Sequence, residues 1–180
     1  LEAEGLLMSH PKRGKCVTIL TPDGIRNSYE LSGLLESAAA VNAAKGLSAE
    51  VHGKLAALVG RMREAVRAGG AFEEHASLGT EFHETILSLS DNPLIRSLAS
   101  RSSRVISKFL MYERWRTLYT PEELYDRHNR IYEALCSGER RRIENAVREH
   151  YAESAERLAR YCVPPDDKPR GTGKAHFPEE

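Results

Sequence analysis

Apolar residues recur every three or four positions along most of the chain, and this spacing predicts amphipathic helices. On the first predicted helix the apolar stripe is formed by Leu31, Leu34, Leu35 and Ala38. Breaks between the helices carry the usual signals, among them Gly69-Gly70 and a capping box that begins at Thr120. The predicted helices are six, over residues 22–44, 48–68, 72–90, 93 to past 115, 121–137 and 139–161.

The residues before the first helix have a different pattern. The stretch MSHPKRGKCVTIL places a Pro/Gly turn with basic residues before a β-rich run, which predicts a short hairpin with a basic tip. LEAEGLL is typical of the end of a helix, so we expect the sequence to be a fragment. Pro, Gly and charged residues dominate residues 163–180, and this composition predicts a disordered tail. The predicted fold class is therefore all-α: a six-helix antiparallel bundle preceded by a small β-hairpin.

Composition narrows the class of protein. A length of 180 residues suits one domain that buries its core without disulfides. Lys+Arg and Asp+Glu are 26 each, which argues against a uniformly basic nucleic-acid-binding surface. Three widely separated cysteines fit a reducing compartment, and no apolar run is long enough to span a membrane. We therefore expect a cytoplasmic protein without a membrane partner.

Helical phase separates the seven histidines into two groups. His83, His128 and His150 share faces with apolar residues on three different predicted helices, so they should point inward. The other four are expected to be more exposed: His10, His52, His75 and His176. An inward histidine is usually a hydrogen-bonded core residue. Three on separate helices also suit a divalent metal, because imidazoles bind Zn, Ni, Fe or Cu and bundle interiors build metal sites from facing helices.

Several segments together resemble the GntR family of transcription regulators. The first part of the chain is similar to three consecutive elements of that family: the end of a recognition helix, the wing of a winged helix, and the first helix of the all-helical effector domain called FCD. The segments that carry this similarity are LEAEGLL and HPKRGKCVTILTPDGIRNSYELSGLLESAAA. Two further motifs of that domain resemble later segments of the chain, EFHETILSLSDNPLI and DRHNRIYEALCSGERRRIENAVREHYAES. Six effector helices indicate the VanR-like branch. The resemblance implies a remnant of a winged helix-turn-helix domain over residues 1–20 and an FCD-like effector-binding domain over 21–162.

The resemblance also implies a metal centre. The family's site uses an Asp four residues before the first His and one His from each of two later helices, and the matching histidines are His83, His128 and His150. The Asp position falls on Gly79, so the site has three protein ligands, and Glu81 lies about 200° round the helix from His83. The implied cofactor is a divalent metal, Zn or Ni, with water or an effector carboxylate at the open positions.

Effector-binding and DNA-binding residues follow from the same resemblance. Ser32 stands where the family has an effector-binding Arg, and a serine cannot pair bidentately with a carboxylate. Arg101 and Arg104 could replace that charge, or could be solvated. A list of the implied DNA-contacting residues in the wing contains Lys12, Arg13, Gly14 and Lys15.

The sequence therefore predicts the effector-binding and dimerisation domain of a bacterial GntR-family regulator, and not an enzyme. It would sense a small metabolite such as an organic or sugar acid, act as a homodimer and control binding to operator DNA. The alternative is a metal-dependent hydrolase or oxygenase, because a three-histidine metal with open positions also suits those reactions. Against the enzyme, no inward carboxylate is spaced close to the histidines except Glu36 on the first helix.

Overall fold

The computed structural model describes residues 7–10, 14–17, 20–44, 46–102 and 112–162. Two antiparallel strands, β1 (Leu7–His10) and β2 (Gly14–Val17), form a hairpin in which Leu7 pairs with Val17 and His10 with Gly14. The helices are α1 (Pro22–Ala44), α2 (Ala49–Ala68), α3 (Phe72–Ser88), α4 (Pro93–Ser102), α5 (Tyr112–Trp115), α6 (Pro121–Ser137) and α7 (Arg140–Ala159). The predicted all-α class is confirmed. The predicted fourth helix is described at its two ends, α4 and α5, and the predicted disordered tail lies outside the described residues.

Local sequence explains where the helices begin and end. Ser48 caps α2 by accepting from the backbone N–H of Val51, and Thr120 forms the predicted capping box with Glu123 at the start of α6. Gly69 and Gly138 end α2 and α6 with φ of 65° and 66°, a left-handed conformation that a side chain disfavours. These signals fix the lengths of the helices and therefore which residues meet inside the bundle.

Helix α1 packs against α7, α4 and α3, while α2 packs against α6 and α3. The core between them is apolar, and its largest fully buried side chains include Phe82, Ile25, Leu55, Met62 and Ile86. None of the described helices is both long enough and apolar enough to cross a membrane.

The prediction for the face of α1 was wrong. Leu31 and Leu34 are 44% and 42% exposed, and Ala38 is also exposed. The buried face combines the larger residues Ile25, Tyr29 and Val41 with small and polar ones, namely Ser32, Gly33, Glu36, Ser37 and Ala40. Gly33 lies so close to α7 that a Cβ at that position would be 3.2 Å from Cβ of Tyr151. Small residues bring α1 near α7, and polar partners on α3, α4 and α7 satisfy its buried polar groups.

Candidate metal centre

Three helices bring His83, His128 and His150 to one point in the bundle. His83 comes from α3, His128 from α6 and His150 from α7. Their ring centroids are 4.8 to 5.1 Å apart, and their candidate ligand nitrogens all lie within 4.8 Å of one another. Helical phase therefore selected three residues that the fold does place together.

Hydrogen bonds fix the orientation of two of these rings. Nδ1 of His83 lies 2.6 Å from Oε1 of Glu36, and Nδ1 of His128 lies 2.6 Å from the carbonyl oxygen of Leu124. A carboxylate and a carbonyl oxygen only accept hydrogen bonds, so each Nδ1 carries the proton and donates it. With Nδ1 as the hydrogen-bond donor, each ring is oriented so that Nε2 can be presented to a metal.

Burial keeps His128 and His150 in the uncharged form. Burial, followed by repulsion from His83, lowers the pKa of His128 to about 3, although the Leu124 carbonyl acts in the opposite direction. Burial, followed by the positive charge of Arg127, lowers the pKa of His150 well below 6.5. Both imidazoles are therefore neutral near pH 7, so a metal that bound their free nitrogens would displace no proton from them.

The donor set fits a divalent transition metal. Nε2 of His83 and Nε2 of His150 are 3.1 Å apart. Two nitrogens that ligate one tetrahedral zinc at about 2.0–2.1 Å are themselves separated by about 3.3 Å. A single proton can bridge this pair, but Nδ1 of His150 is then a buried lone pair without a hydrogen-bond partner. Nδ1 of His150 lacks a partner whether or not a metal binds Nε2, so the fit rests on the convergence of three imidazole nitrogens that could donate to one cation.

Gly79 faces this cluster from α3. A Cβ at position 79 would lie 3.0 Å from Nε2 of His128 and 3.1 Å from its Cε1. A side chain here would therefore be directed at the ligand atom of His128, and glycine lets that ring pack directly against α3. Glu81 points elsewhere, as helical geometry predicted: it is exposed and lies 3.7 Å from Arg61.

Sequence reasoning missed Arg127, which is buried next to His128. Its Nη2 donates to the carbonyl oxygen of His150 at 2.6 Å and to Oγ of Ser154 at 2.8 Å, and its Nη1 pairs with Glu153. The guanidinium also stacks on Tyr119, 4.0 Å from the ring centroid. Arg127 thus links α6 to the turn of α7 that carries His150. An arginine before a histidine in a charged helix gives no sequence signal for this role.

The predicted effector-binding residues do not all lie at the three-histidine cluster. Ser32 is fully buried on α1, where its hydroxyl donates to the carbonyl of Ser28 and contacts Oγ of Ser102 at 2.5 Å. Arg101 is exposed at the end of α4, and Arg104 lies outside the described residues.

The predicted DNA-contacting turn is described only in part. Lys12 and Arg13 lie outside the described residues. Gly14 has φ of 70° at the start of β2, and the neighbouring Lys15 is exposed.

One predicted exposure was wrong. His75 was expected to be accessible near the start of α3, yet it is 3% exposed. Neither of its ring nitrogens has a hydrogen-bond partner. The tertiary fold covers this residue although it lies close to the helix terminus. His52 is exposed as predicted and contacts Tyr132.

Comparison with known proteins supports the same fold. A family model described as FCD domain matches residues 27–153. One similar solved structure, described as "Lar controls the expression of the Listeria monocytogenes agr system and mediates virulence", has a TM-score of 0.63 and 20% identity, covering 89% of this chain and 76% of that one. Streptococcus agalactiae GntR has a TM-score of 0.57 and 18% identity, covering 86% of this chain and 76% of that one. A search of curated proteins gave no match.

Proposed function

The chain belongs to the FCD domain family, and we propose that it is the effector-binding and dimerisation domain of a bacterial GntR-family transcription regulator. The similar structures described as Lar and as a GntR protein favour regulation over catalysis. The observation that carries the proposal is the convergence of His83, His128 and His150, each from a different helix, at one point in the bundle. Such a point lets one small ligand bias the packing of three helices.

In this proposal the three histidines hold a divalent metal, Zn²⁺ or Ni²⁺. When bound, the metal supplies a positive charge and positions for an oxygen ligand. The protein contributes Nε2 donors whose rings are oriented by Glu36 and by the Leu124 carbonyl, and the glycine at position 79 supplies no fourth ligand. Water or the carboxylate of an organic or sugar acid would occupy the open coordination positions. Because the serine at position 32 cannot pair with a carboxylate as an arginine does, effector recognition depends more on other groups.

Regulation follows from unequal affinity. An effector shifts the protein between two arrangements only by the difference in its binding free energy for them. Helix α1 connects the cluster to the hairpin, because Glu36 contacts His83 while the N-terminus of the same helix follows β2. In the proposed regulator, a change in the packing of α1 against α3 and α7 would alter how the wing, with Gly14 and Lys15, is presented to operator DNA.

The proposed homodimer has a candidate surface on α1 and α4. Leu31, Leu34, Leu94 and Leu98 are 42–65% exposed on these two packed helices. Exposed apolar residues grouped on one surface mark contact sites between proteins. A dimer is also the assembly that reads two half-sites of a palindromic operator.

An enzyme is the less favoured candidate. The nearby carboxylate, Glu36, already accepts from His83 and from Tyr151, so it is not a free general base. The test is metal analysis of protein purified without a histidine tag, followed by thermal-shift measurements with Zn²⁺, Ni²⁺ and a panel of organic and sugar acids. Stabilisation by metal, increased by an acid and absent in His128→Ala, is expected. Metal-free protein that neither ion stabilises would refute the metal site. Metal-dependent turnover of esters, absent in His128→Ala, would refute the regulator.

A further inference from the structure

Glu36 is a fully buried carboxylate on α1 that does not belong to the three-histidine ligand set. Oε1 accepts from Nδ1 of His83 at 2.6 Å, and Oε2 accepts from the hydroxyl of Tyr151 at 2.6 Å. Each oxygen therefore has one partner, and in the described part of the chain neither partner is an arginine or a lysine. A carboxyl group buried this completely depends on both of these hydrogen bonds, since an unpaired buried polar atom is costly.

Tyr151 holds the carboxylate in place. Burial, followed by the charge of Glu36, raises the pKa of Tyr151 well above 10, so the phenol keeps its proton and donates it. Gly33 lets α1 approach Tyr151 closely enough for this contact. The position of Glu36 is thus determined by α7 as well as by α1, which leaves Oε1 aimed at α3.

We propose that Glu36 is a positioning residue for the metal: through its contact with Nδ1 of His83 it fixes the ring orientation and the imidazole tautomer that presents Nε2. The inference rests on the proposed metal site. The role follows from the contact itself. A carboxylate cannot donate a hydrogen bond to Nδ1, so it excludes the neutral tautomer in which Nε2 of His83 carries the proton. Outer-sphere carboxylates of this kind raise the basicity of a ligating histidine and fix its ring.

The substitution Glu36→Gln separates this role from a structural one. Glutamine has nearly the same shape, but its amide can donate to Nδ1 and so permits the tautomer with a proton on Nε2. That proton would occupy the lone pair needed by the metal. Glutamine can keep both side-chain contacts, so the melting temperature of the metal-free variant should fall by no more than about 3 °C. Its affinity for metal should fall about 10- to 100-fold.

The experiment uses Co²⁺ alone as the probe, titrated into chelator-treated protein and followed by visible absorption. Tautomers of metal-free protein are read from ¹⁵N chemical shifts of the labelled histidines. Ser37→Ala is the matched control: it removes another buried polar contact between α1 and α7, the one to Nε of Arg148, without touching Glu36 or the histidines. It should destabilise the protein while changing Co²⁺ affinity less than about threefold. Glu36→Asp is a second variant that keeps the charge but shortens its reach, and it should have an intermediate affinity.

The outcomes are distinct. Wild-type protein that binds no Co²⁺ overturns the proposed metal site and this inference with it. Wild-type binding with unchanged affinity in Glu36→Gln and Glu36→Asp overturns the inference alone. A lowered melting temperature in Glu36→Gln, with an unchanged His83 tautomer and unchanged affinity, assigns Glu36 a structural role only. Weaker binding together with a proton on Nε2 of His83 supports the proposal.

Discussion

Acid should destabilise the metal-free protein through its buried histidines. The pKa of His128 is about 3 in the folded chain and about 6.5 when the chain is unfolded. Below pH 6.5 the unfolded state therefore binds a proton that the folded state does not. Stability from this difference is fully present above pH 6.5 and is lost as the pH falls toward 3. The shift of His150 has the same direction and adds to the loss.

The size of the effect follows from the distance between the two pKa values. Between pH 6.5 and pH 4.5, an interval of about two pH units, the unfolded histidine becomes protonated and the folded His128 does not. At 1.36 kcal/mol per unit, this one residue lowers the free energy of unfolding by about 3 kcal/mol between pH 6.5 and 4.5. That is a large share of the stability of a typical domain, about 5–15 kcal/mol.

The assay is urea denaturation of chelator-treated protein at several pH values, with His128→Leu as the comparison. Leucine is apolar and does not titrate, so carboxylates and other histidines contribute similarly to both proteins. The free energy of unfolding of the wild type should decrease by about 3 kcal/mol more than that of the variant between pH 6.5 and 4.5. Equal decreases in the two proteins would show that His128 is not held neutral by burial.

Three further perturbations test other parts of the structure. Gly79→Asp should raise Co²⁺ affinity at least about tenfold, since its carboxylate would add a fourth ligand once the His128 ring gives by a few tenths of an ångström. Gly79→Ala has the same Cβ contact, 3.0 Å from Nε2 of His128, and should not raise the affinity; equal affinities in a Co²⁺ titration would contradict this. His75→Leu should raise the free energy of unfolding by about 1–3 kcal/mol in urea denaturation, because it removes two buried nitrogens without partners; a decrease would mean that His75 is stabilising. Leu98→Glu should convert the proposed dimer to monomer in analytical ultracentrifugation, because it places a charge in an apolar interface; an unchanged mass would place the interface elsewhere.

Much of this fold could be predicted because its signals are local. Helix boundaries depend on residues near in sequence, such as the capping box at Thr120 and the glycine pair after α2, and the structure places them as predicted. The three histidines could be selected because a helix with 3.6 residues per turn places them in phase with apolar neighbours. That the three side chains meet at one point could not be predicted in this way. Helical phase gives the direction of a side chain on its own helix, but it does not say which residue of another helix that side chain will contact.

The parts that could not be predicted depend on partners distant in sequence. Leu31 and Leu34 satisfied the expected apolar spacing, yet α1 buries its opposite, polar face. Glu36 can be buried on that face because its carboxylate contacts His83, 47 positions away, and Tyr151, 115 positions away. Arg127 is likewise buried by contacts with α7 and Tyr119. Hydrophobic periodicity treats a polar residue as a solvated one, so it fails where a site is built from buried polar groups.

The reversal of α1 also links the proposed site to the proposed assembly. One face of this helix carries Glu36 and contacts the histidines, while the other exposes Leu31 and Leu34. Because a helix is stiff, a change in how α3 and α7 hold Glu36 must move or rotate the exposed leucines as well. Coupling of this kind predicts that metal binding and dimerisation affect each other's free energy equally, as linkage requires. The dimer dissociation constant, measured with and without Zn²⁺, tests the link: a constant that Zn²⁺ leaves unchanged would mean that α1 carries no coupling between the two.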